Sequence, residues 1–385
     1  MYLLLLALIY LAFISLGLPD SLLGSGWPVI HNDLNVPTSF MGMITMVISG
    51  GTIVSSLLSN KLTRKFGTRI VTVISVFLTA IALLGFSFSN QFRMLMVFAV
   101  PYGLGAGAID AALNNYVAIH YTSKHMSWLH CFWGIGAIVS PFVMSWALAN
   151  STWNGGYRII AFLQLGIGLL LLVTLPVWNV NRQEKEESAK SIGLIDALKI
   201  RGVPYLLIGF FAYCAAEATV MCWACTYMVE VRGITADRAA GFASLFYIGL
   251  TVGRFLSGFI MNKLGDRKMI LLGTGTLFFG LIFLLFPAGS PIASLVGFII
   301  IGFGCAPIYP CIIHSTPVNF GAENSGAIIG IQMAGAYVGS TFIPTLFGLL
   351  GNLTGFAILP VYLIVFFVLM ISMTELTFKI TEKKQ

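Results

Sequence analysis

Three carboxylates fall inside stretches that are otherwise almost free of charge: Asp20, Asp110 and Glu217. A carboxylate in hydrocarbon is unfavourable unless it faces water, a cation or a hydrogen-bond donor. Burial disfavours the charged form, so such a group can take a proton from one side of a barrier and release it on the other. That chemistry is proton coupling, and oxygen ligands at a membrane midplane would also suit Na⁺. Asp20 stands in Leu16-Gly-Leu-Pro-Asp20-Ser-Leu-Leu-Gly-Ser-Gly-Trp-Pro28. A membrane helix tolerates that many breakers only where neighbours or water satisfy the loosened backbone. Asp20 is therefore read as part of a transport site, the alternative being a neutral, hydrogen-bonded structural carboxylate.

Asp110 has Asn114 one helical turn on, so both project to one face. Gly103 and Gly107 on that face let another helix or a ligand come close. An acid and an amide there suit hydroxyl groups; the alternative is an acid capping a neighbour's backbone. Glu217, in Tyr213-Cys-Ala-Ala-Glu217-Ala-Thr-Val-Met-Cys-Trp223, is open to three roles: second coupling site, cation ligand with Asp20, or ligand of a polar substrate. A sugar needs flat apolar faces for its ring and polar groups for its edges. The candidates are Asp20, Trp27, Asn114, His130, Trp133, Tyr213, Trp223, Tyr309 and Gln332. Trp27 is two turns beyond Asp20 on the same face, and Trp133 nearly one turn beyond His130. Each aromatic has packing or the interfacial belt as its alternative. An amide such as Gln332 in mid-bundle needs a partner. His130 is a pore-side donor, part of a proton route, or a satisfied structural histidine. His120 and His314 read as span-end residues.

The elements that carry these residues follow from composition. Of 385 residues, 58% are apolar and 9% charged, with a mean hydropathy of +0.92. This is the signature of an all-α, polytopic membrane protein. Twelve apolar spans are expected, each near the roughly 20 residues a bilayer core requires. The first run is not read as a cleavable signal peptide, because it lacks a basic start and leads directly into a second span. All six Cys residues lie in spans, and Cys222-x-x-Cys225 with no His or Cys cluster nearby reads as packing, with no metal. No Walker loop, H-E-x-x-H, G-x-S-x-G or nucleotide fingerprint occurs, so neither an enzyme nor a resident cofactor is expected. The net charge of +7 does not point to nucleic acid, because the basic residues sit in short loops.

Every second gap collects Lys and Arg: Lys61, Arg64, Lys65 and Arg69; Lys124; Arg182, Lys185, Lys190, Lys199 and Arg201; Lys263, Arg267 and Lys268; Lys379, Lys383 and Lys384. The alternate gaps hold only Arg93, Arg158, Arg232 and Arg238, a bias that places both termini in the cytoplasm. The short loops suggest a bacterial inner membrane, with lipid as surroundings and a monomer as the unit. The expected division is a six-helix bundle over 1–178, a cytoplasmic linker over 179–203, a second bundle over 204–378 and a tail over 379–385.

The halves repeat. Lys61-Leu-Thr-Arg-Lys-Phe-Gly67-Thr-Arg69 follows the second span, and Phe259-Ile-Met-Asn-Lys-Leu-Gly265-Asp-Arg267 follows the eighth, with the two glycines 198 residues apart. Gly103, Gly105 and Gly107 of the fourth span correspond to Gly302 and Gly304 of the tenth. By the same offset Glu217 falls within one residue of Asp20. Two parallel repeats around one pathway give such a pattern. These features resemble the major facilitator superfamily over the whole chain. The second basic turn, Gly258-Phe-Ile-Met-Asn262-Lys263-Leu-Gly265-Asp266-Arg267-Lys268, is similar to that family's signature G-x-x-x-D-R-x-G-x-R/K. The first departs from it, with Asn60 at the leading Gly and Arg64 at the acid. The resemblance implies a cytoplasmic gate at Lys61, Arg64, Lys65, Gly67, Arg69, Asn262, Lys263, Gly265, Asp266 and Arg267, and Arg254, two turns away and well inside a span, is read as a structural partner within it.

Within the superfamily, Gly107-Ala-Ile-Asp110-Ala-Ala-Leu-Asn-Asn115 and Leu129-His130-Cys-Phe-Trp-Gly134-Ile-Gly136-Ala resemble the fucose permease branch of sugar–proton symporters. That resemblance implies sugar recognition at the first-span acid and proton coupling at the fourth-span acid. Uptake of a monosaccharide or polyol with H⁺, by rocking of two halves, is the function expected. Two rivals are a proton-coupled exporter of amphipathic compounds and a transport-inactive receptor. The absence of the antiporter glycines after Ser140-Pro141 and the polar Asn114 and Gln332 tell against the first. The short tail after Thr377 tells against the second.

Overall fold

A computed structural model describes residues 2–37, 40–181, 192–234, 236–285 and 291–382. The expected linker positions Arg182, Lys185 and Lys190, and Lys383 and Lys384 of the tail, lie outside the described residues. The described chain is helical from end to end. Eleven helices among the described residues are long and apolar enough to cross a membrane. Span eight, Ala236–Leu264, is a further 29-residue helix. The chain is thus an integral, multi-pass membrane protein with twelve spans.

In order, span one is two helices, Tyr2–Gly17 and Leu22–Asp33. Spans two to six are Met41–Phe66, Thr68–Ser87, Phe92–His120, Ser123–Asn150 and Trp153–Val173. A short helix, Leu194–Lys199, precedes span seven, Val203–Glu230. Span nine is Asp266–Leu285; span ten is again two helices, Pro291–Cys305 and Ile308–Phe320. Spans eleven and twelve are Ala322–Thr354 and Leu359–Glu382.

Chain contacts group the residues into two compact units. One comprises 1–116, 132–192 and 329–334; the other comprises 117–131, 193–328 and 335–385. The boundaries differ from a cut at the linker in two places. The junction of spans four and five is tied by hydrogen bonds to spans eight, nine and ten, and so belongs with the second unit. The stretch around Gly330, whose Cα face lies on the Ser56 carbonyl, belongs with the first.

The repeat is visible in how glycines seat the helices. In the first unit Gly103 rests on the Ile48 carbonyl of span two, and Gly105 on the Ser75 carbonyl of span three. In the second, Gly302 rests on the Phe246 carbonyl of span eight, and Gly304 on the Gly273 carbonyl of span nine. A side chain at any of these positions would collide with the facing backbone, so only glycine permits the approach. The basic turns match as well. Gly67 and Gly265 both have positive φ, 80° and 77°, and each amide donates to the carbonyl four residues back, of Thr63 and Met261. Positive φ is the backbone state glycine supplies without strain.

Candidate functional site

Span one breaks at Leu18–Ser21, and Asp20 lies in the break. Pro19 has no amide to donate, and the turn closes with bonds from Asp20 to Gly17 and from Leu22 to Pro19. Span five takes over part of the lost ladder: the Ser140 hydroxyl donates to the Leu18 carbonyl. The two spans approach closely because Gly17 meets the Trp133 carbonyl and Gly136 meets the Ile14 carbonyl. That contact fixes the Asp20 carboxylate. The Trp133 indole donates to one oxygen at 2.8 Å, and the Tyr102 hydroxyl of span four to the other at 2.8 Å. Asp20 is nevertheless exposed, so an acid held by two aromatic donors keeps room for a further ligand. Tyr102 was not anticipated from sequence, since only its pairing with Asp20 gives it a role.

Asp110 and Asn114 are joined as their spacing requires. The Asn114 amide donates to the Asp110 carboxylate at 2.8 Å and to its carbonyl at 2.9 Å, and both residues are buried. The glycine face beside them is occupied by a helix rather than left for a ligand. Gly103 and Gly107 pack on span two, where Ser55, Ser56 and Ser59 donate to the carbonyls of Gly103, Gly107 and Ala108.

The second unit holds a charged centre of its own. Glu217 and Arg254 form an ion pair at 3.2 Å with side chains only 12% and 5% exposed. The Tyr213 hydroxyl lies 2.8 Å from the same Glu217 oxygen and 2.9 Å from the Cys305 carbonyl. Tyr309 stands beside them, its ring centroid 4.8 Å from Phe210, 6.3 Å from Tyr213 and 4.5 Å from the buried His130. Arg254, read from sequence as a structural partner within the gate, has its guanidinium on Glu217, while its backbone carbonyl accepts from Ser127 at 2.5 Å.

Other candidates lie apart. Trp27 lies beyond the break, in the second helix of span one, Leu22–Asp33. It is buried in the first unit's core with Ile44, Met144 and Trp153. Trp223 is committed to packing, stacked on Phe356 at 5.2 Å with its indole donating to the Pro344 carbonyl. Gln332 is buried within the stretch that groups with the first unit.

At the end bearing the basic turns, the second copy of the repeat is engaged through Gly258, Asn262, Asp266 and Arg267. Arg267 forks onto Glu375 of span twelve at 2.6 and 3.1 Å and reaches Glu382 at 2.5 Å. Asp266 accepts from Ser123 at 2.5 Å and lies 2.7 Å from His314 Nδ1. Asn262 accepts from the Lys124 amide at 3.4 Å. Gly258 leaves the space into which the Trp128 indole fits, and that indole donates to the Phe255 carbonyl at 3.3 Å. In the first copy, Lys61, Arg64 and Lys65 are exposed. His314 is therefore not a plain span-end residue; the signal available in sequence was a histidine on an apolar helix opposite an acid of the basic turn.

The chain's relatives match this architecture. It is 24% identical over 351 residues to an uncharacterised MFS-type transporter of Yersinia pestis, covering 90% of this chain and 89% of that one. The glucose/mannose transporter GlcP of Bacillus subtilis is 23% identical, with 78% and 77% covered. A crystal structure of the E. coli fucose:proton symporter FucP superposes with a TM-score of 0.81 at 18% identity, covering 98% of this chain and 99% of that one. The Major Facilitator Superfamily model matches residues 9–344 and again 240–385, and the chain belongs to that superfamily, as a membrane transporter and not an enzyme.

Proposed function

We propose that this transporter carries a monosaccharide or similar polyol into the cell together with a proton, by alternating access between the halves 1–178 and 204–378. The observation that carries the reading is Asp20, an exposed carboxylate whose two oxygens are aimed by the Trp133 indole and the Tyr102 hydroxyl. A carboxylate flanked by an indole and a phenol offers acceptors for sugar hydroxyls and a flat face for the ring. GlcP and FucP, by their names a hexose transporter and a fucose:proton symporter, support the substrate class.

Proton exchange is assigned to the buried acids. At Glu217, one Tyr213 proton serves two acceptors, the carboxylate and the Cys305 carbonyl. A proton on Glu217 lets the acid donate to the Tyr213 oxygen while Tyr213 donates to Cys305, so both acceptors are satisfied. The same proton weakens the hold on Arg254. Asp110, beside Asn114, is the second exchange site. The Lys and Arg excess supports a cytoplasmic location for the end with the basic turns, and the protein is read as a monomer in a lipid bilayer.

The test is uptake of labelled hexoses and hexuronates into proteoliposomes under an imposed inward H⁺ gradient, for the natural protein and Asp110→Asn. One sugar accumulating against its gradient, with the variant reduced to exchange, upholds the reading. Accumulation of nothing under H⁺ or Na⁺ gradients removes the sugar assignment.

A further inference from the structure

At the basic end of the second unit, both ring nitrogens of His314 face acceptors. Nδ1 lies 2.7 Å from Asp266 Oδ2, and Nε2 lies 3.0 Å from the Tyr121 backbone carbonyl. A neutral imidazole carries one N–H and can satisfy only one of these; the imidazolium carries two and satisfies both. The other Asp266 oxygen accepts from Ser123, whose hydroxyl oxygen is also 3.0 Å from Nδ1. Tyr121 and Ser123 belong to the junction of spans four and five, Asp266 to span nine and His314 to span ten. One side chain thus clasps the 117–131 segment to the body of its unit. Further along that segment the attachments are neutral: Ser127 to the Arg254 carbonyl, Trp128 to the Phe255 carbonyl and Cys131 to the Thr251 carbonyl.

Span nine contributes Asp266, Arg267 and Lys268; Lys268 is exposed, and Arg267 is committed to Glu375 and Glu382 of span twelve. Span seven contributes Tyr213 and Glu217, engaged with Arg254. In span five the Lys124 ammonium lies over the Trp128 ring at 4.2 Å, and the His125 ring is 5.6 Å from that of Tyr121. His314's own helix also carries the buried Cys311. Among the described residues, Asp266 is the acid hydrogen-bonded to the imidazole.

We propose that His314, with Asp266 and the Tyr121 carbonyl, is a proton-operated latch on the basic end of the transporter. The imidazolium holds residues 117–131 against spans nine and ten; loss of its proton removes one of the two bonds and frees the segment. The basic end then opens more readily toward a compartment poor in protons, where a co-transported proton is also released. The inference rests on the alternating-access reading above, and concerns a proton site separate from Asp20, Asp110 and Glu217.

Cys131 reports the latch, being buried in the clasped segment. The rate of its alkylation by N-ethylmaleimide, read by peptide mass spectrometry on the full-length protein without substrate, is measured between about pH 6 and pH 8, a range that spans histidine titration. Thiol reactivity itself rises with pH, so each rate is divided by that of His314→Gln at the same pH. The expected ratio is low at the acid end and rises by roughly tenfold, the equivalent of one charge-assisted hydrogen bond. Ser123→Ala, which keeps the histidine, is expected to raise the rate at every pH while preserving its pH dependence. A flat ratio, or protection of Cys131 at every pH in both proteins, overturns the latch. Failed sugar uptake with a rising ratio removes the substrate assignment and leaves the latch, whereas uptake with a flat ratio does the reverse.

Discussion

Arg254 and Glu217 hold each other at 3.2 Å, with side chains 5% and 12% exposed. Two such charges tolerate burial only together. Removing one partner of a buried pair costs about 3–5 kcal/mol, because the remaining charge is left uncompensated, whereas replacing both with apolar groups is often neutral. Glu217→Gln and Arg254→Met are each expected to lower the melting temperature of the detergent-solubilised protein. The double variant should recover most of the loss while remaining inactive in uptake. If the double variant is as unstable as the sum of the singles, the pair does not stabilise the second unit through mutual charge.

Trp133 and Tyr102 each give one hydrogen bond to Asp20. A hydrogen bond to a charged group contributes about 1.5–3 kcal/mol. Tyr102→Phe and Trp133→Phe keep a ring and remove the donor. Each is expected to raise the uptake KM by roughly tenfold or more through a mis-aimed carboxylate, with thermal stability little changed because Asp20 is accessible to water. Asp20→Asn keeps the shape but offers one acceptor oxygen instead of two, and should lose uptake altogether. KM values of Tyr102→Phe and Trp133→Phe equal to that of the natural protein would dissociate Asp20 from the substrate.

The spans were legible because a bilayer demands apolar length, and length is counted along the chain. The repeat was legible because Gly67 and Gly265 must occupy positive φ, and Gly103 and Gly302 must let a helix in. The pairings of Asp20 with Tyr102, of Glu217 with Arg254 and of Asp266 with His314 were not. Each joins different spans, and which residues meet depends on how helices rotate and cross, which hydropathy does not encode. Trp27 and Trp223 misled for a related reason. A tryptophan near an acid in sequence is the same pattern whether its ring faces a cavity or, as with Phe347 and Phe356 around Trp223, a packed core. Asn114 was legible because its partner Asp110 lies on its own helix, one turn away.

Arg267 meets Glu375 with a bidentate fork while its contact with Glu382 is at an exposed end. The fork needs a planar guanidinium, which an ammonium does not reproduce. Arg267→Lys and Glu375→Gln should therefore lower stability by about 1 kcal/mol, and Glu382→Gln by a few tenths or nothing, as exposed pairs do. Thermal melts at low and high salt separate the two: the Glu382 contribution should vanish with salt and the Glu375 contribution should persist.

Glycine placement in span two gives an internal control for the packing that brings spans two and four together. Gly50 has open space around it, whereas Gly103 lies on the Ile48 carbonyl and Gly107 on the Thr52 carbonyl. A methyl group at Gly103 or Gly107 meets backbone, which cannot rotate away as a side chain would, and overpacking of that kind costs about 1–3 kcal/mol. Gly50→Ala should fold normally and, as a helix-interior Gly to Ala change, gain up to about 1 kcal/mol. Gly103→Ala and Gly107→Ala should lose stability and uptake together, since displacing span four also moves Tyr102 away from Asp20. The corresponding change in the second unit, Gly302→Ala against the Phe246 carbonyl, is expected to behave like Gly103→Ala. Tolerance at Gly302 alongside failure at Gly103 would mean that the two repeats, though alike in their glycines, do not share one mode of helix packing.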